Sequence, residues 1–444
     1  MIRIRKHIIF ILVIGLFSSC GTYYQRTKST EQAIVAGDYS QAKKEVANSR
    51  YLSRKRNNLL YAIEMGKVCH LKGEFKESNK FFEYADYKMQ LFKSVGDHAL
   101  GVLVNQALQS YQIESHERIM VHYYKALNYM QLGDVEEALV EARKLNLVQK
   151  SMSVSAKGKT KKYHQDPFGL LLMGMLYEAD NDYNNAFIAY RNAKEVYESD
   201  QTGLFSNNAP SHLESDIARS AKLSGISYES EIEPNLNLTT NGELILFWEN
   251  GLSPIKEEKN IFFSLAQNKD GFFFESDGLI IPTDYDFAKN DPDFKVEDLG
   301  LIRLARSYYV NRYPQTLSMD LFVNDEDVKM EMGADISALA FQVERDNYVK
   351  ELAADLLRLT LKKISEKALS EESEVAGALM NVGNFASEKA DTRNWQSLPS
   401  QIQFARIPLK EGLNKITIRT STAELIEMEV MGTGRLLFRN VVTY

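Results

Sequence analysis

The chain has 444 residues, 44% of them hydrophobic and 25% charged, a globular composition long enough for two or three cores. A net charge of -7 argues against nucleic acid as a partner, since that needs a basic face to neutralise phosphates. Cys20 and Cys69 are the two cysteines, and if Cys20 is consumed by lipidation no internal disulfide can form.

Arg3, Arg5 and Lys6 precede the apolar run Ile8–Phe17. That run is too short to cross ~30 Å of hydrocarbon as a helix but suits the apolar core of a secretory signal. Ser18 and Ser19 then stand directly before Cys20 and Gly21. This arrangement resembles the bacterial lipobox, with Phe17 where leucine is usual. The resemblance implies a signal peptide over 1–19, acylation of Cys20 by palmitate-type chains, and a lipidated tether over 20–26. Several acyl chains at ~0.8 kcal/mol per buried CH₂ hold firmly. Gly21 in place of aspartate resembles sorting to the outer membrane, and the lack of an acidic run after Cys20 favours the periplasmic face. No later stretch stays apolar for the roughly 18 residues of a spanning helix.

Residues 27–224 read as helices punctuated by a recurring turn: Gly37-Asp38-Tyr39, Gly73-Glu74-Phe75, Gly133-Asp134-Val135 and Asn181-Asp182-Tyr183. Small and aromatic residues return at fixed offsets around each turn. Gly66, Cys69, Ser78 and Phe82 in the second copy answer to Ala126, Tyr129, Ala138 and Ala142 in the third. The fourth copy has Gly174, Tyr177, Ala186 and Tyr190, and the first keeps Ala33, Ala42 and Val46. The pattern resembles the tetratricopeptide repeat of about 34 residues. Small residues allow two antiparallel helices to approach, and a positive-φ turn residue ends the first of them. Phe82 and Tyr190 are expected to fill the gap toward the next repeat. Uneven turn spacing points to insertions, among them the Ala85–Gln112 region and the basic loop Lys157–Lys162, read as solvated. The expectation is an irregular α-solenoid whose concave face forms a groove.

Residues 225–241 are polar and turn-rich and read as a linker. From 242 to 444 the expectation is a β-sandwich-like or α+β domain. Its strands lie over Glu243–Glu249, Ile261–Leu265, Gly271–Phe274, Leu279–Pro282 and Leu317–Val323, then Ile402–Pro408, Ile416–Arg419, Ile426–Val430 and Arg435–Val442. A helical hairpin over about 343–389 interrupts them. The segments Gly242–Gly251, Asp391–Pro399 and Ala405–Leu409 resemble an uncharacterised family of bacterial lipoproteins. Its members join a tetratricopeptide-like N-terminal half to a β-rich C-terminal half. The resemblance implies an envelope location and supplies no chemistry.

Catalytic patterns are sparse. All seven histidines precede residue 213, and no HExxH, G-x-S-x-G or phosphate loop occurs. Ser40–Lys43 matches S-x-x-K but sits at helix-packing spacing. The acidic run Asp284, Asp286, Asp291 and Asp293 lacks the spacing and glycine of a Ca²⁺ loop and reads as solvated. Neither a metal nor a cofactor is expected. Asp391, Arg393 and Trp395 form the most singular polar group: a carboxylate–guanidinium pair beside an indole is a candidate ligand grip, weighed against a structural corner. The reading that follows is a non-enzymatic, outer-membrane-anchored scaffold or assembly factor with an envelope protein or peptide in the repeat groove. A cell-wall polymer stacked on Phe247-Trp248, Phe262-Phe263 and Phe272–Phe274 is the alternative.

Overall fold

The computed structural model describes residues 21–444 apart from 95–106, 108, 154–165, 201–202, 204, 206–208, 233–240, 291–293 and 373–387. The expected signal segment, Cys20, the basic loop 157–162, Asp291 and Asp293 therefore lie outside the described residues. So do residues 233–240 of the expected linker and most of the second arm of the hairpin.

Four antiparallel helix pairs open the described chain: α1 (Tyr23–Val35) with α2 (Tyr39–Asn48), α3 (Asn58–Leu71) with α4 (Phe75–Ser94), α5 (Ser115–Leu132) with α6 (Val135–Ser153), and α7 (Pro167–Ala179) with α8 (Tyr183–Ser199). A further helix, α9 (Leu213–Ser224), packs on α8. One local device builds every pair. The first helix ends on a residue with positive φ: Gly37 at 72°, Gly73 at 78°, Gly133 at 78° and Asn181 at 62°. The amide after it returns to a carbonyl five residues back, as in Asp38 to Ala33 at 2.9 Å and Asp182 to Tyr177 at 2.8 Å, which satisfies helix-end carbonyls. Asp38 and Asp182 then cap the second helix by accepting from the amides of Gln41 and Asn185.

Two expectations need correction here. Helix α1 begins at Tyr23, inside the presumed tether, and the Tyr23 ring is buried. Tyr190 lies over the glycine of its own pair, where a Cβ on Gly174 would come within 2.4 Å of its ring, whereas Phe82 both covers Gly66, whose Cβ would come within 2.7 Å, and stacks on Tyr124 of the next pair at 6.0 Å as expected.

Among the described residues the C-terminal half holds three four-stranded sheets. Strands β1 (Glu243–Asn250), β8 (Glu331–Asp335), β9 (Gln401–Pro408) and β12 (Leu436–Thr443) form the first, in the order β12-β1-β9-β8, with β1 parallel to β12 and antiparallel to β9. The second, β11-β10-β6-β7, uses β6 (Met319–Val323), β7 (Glu326–Val328), β10 (Gly412–Thr420) and β11 (Leu425–Gly432). The third, β4-β3-β2-β5, uses β2 (Ile255–Asn268), β3 (Gly271–Ser276), β4 (Leu279–Thr283) and β5 (Ile302–Val310). Helix α10 (Ile336–Glu372) lays Leu352, Leu356 and Leu359 under this third sheet. It starts earlier than expected because Asp335 accepts from the Ala338 amide at 2.8 Å and nucleates it.

Strand β1 is buried along its whole length, and its two faces meet different partners. Leu244, Leu246 and Trp248 pack with Leu321, Ile416 and Ile418 of the second sheet, as in a sandwich. Ile245 and Phe247 share a core with the repeat helices. The order of layers is thus helices, first sheet, second sheet. The helical and β-rich halves are distinct in secondary structure but continuous in packing.

Candidate functional site

The first helix of each repeat pair faces inward, and the concave face it lines is occupied by the chain's own C-terminal half. Helix α3 is buried from Leu59 to His70 except at Tyr61, and α7 from Pro167 to Glu178. Phe168 meets Phe247 at 6.0 Å and Phe404 at 6.2 Å between ring centroids, while Trp395 lies 5.8 Å from Phe82 and 5.9 Å from Tyr124. The expected open groove for an envelope protein or peptide is therefore filled by β1, β9 and the 391–398 segment.

Three polar clusters lock this inner seam. Lys67 of α3 pairs with Glu249 of β1 at 2.5 Å, and Tyr124 donates to the same carboxylate at 2.8 Å. Burial opposes the Glu249 charge, but Lys67 beside it holds the carboxyl below its ordinary range. In the second cluster Arg406 of β9 bonds Glu178 at 2.7 Å and Asp216 at 3.2 Å, and pairs with Glu243. Arg219 reaches Glu178 at 2.8 Å and Asp216 at 2.9 Å. In the third, Glu64 accepts from the Gln396 amide at 3.1 Å, and Glu117 accepts from the Trp395 amide at 2.6 Å. Burial pushes both carboxyls up to about 7, the neighbouring Glu114 adding to the effect at Glu117.

The candidate trio falls inside this seam. Arg393 is 2% exposed and bonds Asp391, Asn57 and the Gln109 carbonyl. The Trp395 indole is fully buried and donates to Ser397 at 3.0 Å. The guanidinium and indole do not converge on a ligand, because both are consumed in joining the 391–397 corner to the helices. Asp391 alone borders open space. The four repeat-turn residues Gly37, Gly73, Gly133 and Asn181 end the first helix of each pair with positive φ. The aromatic pairs offered as stacking platforms mostly turn inward: Phe247, Trp248, Phe263, Phe272 and Phe274 are buried, whereas Phe262 is 50% exposed. Asp286 caps a short helical turn at the Lys289 amide. Among the described residues no group of three metal-ligating side chains occurs, and no helix is long and apolar enough to cross a membrane.

A cleft lies elsewhere, along α10 beside β5, and encloses about 600 Å³ counting the space open to solvent. Glu344, Asn347, Glu351, Asp355 and Arg358 line it at helical spacing. Ala305, Ser307 and Tyr309 of β5 form the facing wall, and Glu388 to Asp391 close one side. Most charges here are paired internally: Lys256 with Glu114, Arg306 with Glu351 at 3.2 Å, and Arg358 with Glu388. Burial holds the Asp355 carboxyl above its ordinary range.

Sequence reasoning overlooked both the seam and the cleft. The seam had one legible signal, charges such as Glu64, Lys67 and Glu178 set within otherwise apolar helices, where they need buried partners. The cleft had none: β5 mixes Arg303, Arg306 and Ser307 into its apolar positions and breaks the period-two pattern.

No family model and no curated protein sequence matches the chain. Among solved structures, the apo form of RapI aligns at 12% identity over 46% of this chain, with a TM-score of 0.33. The aligned part spans 64% of the RapI chain. A putative kinesin light chain from Podosopora anserina with nearly identical TPR-like repeats aligns at 13% identity over 45% of this chain and 86% of its own, TM-score 0.31. A tetratricopeptide repeat protein from Parabacteroides merdae gives 11% identity, 46% and 73% coverage, and a TM-score of 0.19. The chain is a tetratricopeptide-like helical array closed on its inner face by a sheet-rich C-terminal half.

Proposed function

We propose that this chain is a non-enzymatic binding protein of the bacterial envelope, held at the outer membrane by acyl chains on Cys20 and facing the periplasm. There it serves as a scaffold or assembly factor for an envelope complex. The observation that carries this reading is how the repeat array is used. Its inner face clamps the β-rich half, so the fold presents a rigid frame with a charged, solvent-open cleft on its outside. Internally paired charges in that cleft suit recognition better than proton transfer, which needs a group poised to change protonation against a substrate. A partner therefore meets the outer surface of the β-rich half, not the array's groove.

Two measurements on the full-length chain test this. Wild type should sediment with the outer membrane and Cys20→Ala should be released in soluble form; equal distribution of the two would remove the anchor from the proposal. A photo-crosslinking residue placed at the exposed positions Leu279, Leu301 or Tyr313 should yield a discrete adduct in cells. Absence of any adduct from all three would remove the scaffold.

A further inference from the structure

The cations of this acidic chain are not spread evenly. The stretches 20–30 and 46–63 hold Arg26, Lys28, Arg50, Arg54, Lys55 and Arg56 and no aspartate or glutamate, although the net charge of the whole is -7. Arg26 and Lys28 stand on α1, and the other four on the loop that leads from α2 into α3.

The fold brings the two stretches together around one ring. Tyr51 lies 5.8 Å from the buried Tyr23 ring between centroids, with the Arg26 guanidinium 5.1 Å and the Arg54 guanidinium 5.5 Å from the Tyr51 centroid. Leu52 is buried, the Asn57 side-chain amide donates to the Tyr51 carbonyl at 2.8 Å, and Arg393 donates to Asn57 at 2.8 Å. These contacts fix the loop backbone before any partner arrives. The charges it carries face water. Arg26, Lys28, Arg50, Arg54 and Lys55 are exposed. Among the described residues no carboxylate lies within ion-pair distance of Lys28, Arg50, Arg54 or Lys55. Asp391, whose charge reaches Tyr51, is taken by Arg393 at 2.5 Å. A rigid group of like charges left unneutralised is a field that favours an anionic surface.

Arg26 ties this patch to the anchor. Its Nε donates to the Gly21 carbonyl at 3.2 Å. Gly21 follows Cys20 directly, and one peptide unit spans only ~3.8 Å. Acyl chains on Cys20 therefore enter a bilayer beside the patch, with no tether to hold it away. That separation is shorter than the ~8–10 Å over which charges act in physiological salt.

We propose that the basic patch around Tyr51 docks on anionic phospholipid headgroups of the leaflet that holds the Cys20 acyl chains, and so fixes how the molecule stands on its membrane. This rests on the anchored reading above and adds to it the docking face and the class of lipid. Each cation brought to an anionic surface is worth roughly fivefold in affinity. The half-buried Tyr51 ring between two guanidiniums suits the headgroup layer, where aromatic rings with a polar end collect.

The test uses the full chain purified from membranes and reconstituted into lipid vesicles. Ser53→Cys, at an exposed position of the loop, carries a fluorophore, while the buried Cys69 stays unlabelled. The vesicles bear a nitroxide quencher on a trace of headgroups and are either neutral phosphatidylcholine or phosphatidylcholine with a minority of phosphatidylglycerol. Quenching is expected to be roughly twofold or more stronger on the anionic vesicles. It should fall to the neutral level in 1 M salt, where charges act over only about 3 Å. Arg50→Gln, Arg54→Gln and Lys55→Gln together should abolish the difference with the melting temperature nearly unchanged, whereas Arg54→Lys should keep it. Equal quenching on both kinds of vesicle, or an anionic excess untouched by the triple substitution, overturns the docking and leaves the anchor standing. Flotation with anionic vesicles alone keeps the patch and removes the anchor, and flotation with neither removes both. A response to soluble polyphosphate without one to vesicles assigns the patch to a free polyanion and overturns the proposal.

Discussion

At the scale of single residues, the buried carboxyls of the seam are the most informative groups. Glu64 and Glu117 stay protonated to about pH 7 in the folded chain, whereas an unfolded glutamate releases its proton near 4.5. Between those values the folded state holds the extra proton, so stability falls as pH rises through the window. Each group contributes on the order of 3 kcal/mol to that fall. His70 and His116 act in the opposite sense. Burial lowers them to about 4, so the stability they give is present above 6.5 and lost as pH falls toward 4. The full pH curve mixes both effects, and the difference between variants separates them. Glu64→Gln should be more stable than wild type at pH 8, and the gap should close by pH 4.5, as measured by urea denaturation. A gap independent of pH would mean that Glu64 is ionised throughout.

The helix pair is the element that organises the N-terminal half, and its glycines divide into two physical kinds. Gly37 sits at φ 72° with nothing within 4 Å of an added Cβ, so it is required for its backbone angle alone. Gly174 has an ordinary helical backbone, but an added Cβ would lie 2.4 Å from a Tyr190 ring that is held by a 2.6 Å bond to Glu178. Gly37→Ala should therefore cost about 1 kcal/mol. Gly174→Ala should cost roughly 1–3 kcal/mol or more, because it overpacks a fully buried contact. Equilibrium denaturation ranks the two. The reverse order would place the close approach, rather than the turn, as the weaker constraint. These turns and close approaches were legible in the sequence because they depend on residues a few positions apart. Strand β5 and helix α10's early start were not. A strand with a buried arginine facing a cleft and a helix capped by the last residue of β8 depend on what lies across from them.

For the molecule as a whole, the continuous core between helices and first sheet makes the halves interdependent. Calorimetry of the full chain is expected to show one cooperative transition, with equal calorimetric and van't Hoff enthalpies. Residues 21–224 expressed alone should bind a hydrophobic dye and aggregate, since Tyr123, Phe168 and the buried Lys67 would face water or each other. Two separated transitions, or a soluble and cooperatively folded array, would show that the halves are independent domains.

The sequence by itself determined the periodic parts of this protein: four helix pairs, their positive-φ turns, the small residues that let paired helices approach, and most strands of the β-rich half. Those features follow from local geometry and the period of burial. Only the tertiary structure decided that the array's groove is filled from within, that Arg393 and Trp395 are fasteners, and that a charged cleft opens between β5 and α10. Residues hundreds of positions apart, such as Lys67 and Glu249 or Glu117 and Trp395, make those arrangements. Their pairing is set by how two amphipathic surfaces find each other, which no periodicity along the chain encodes.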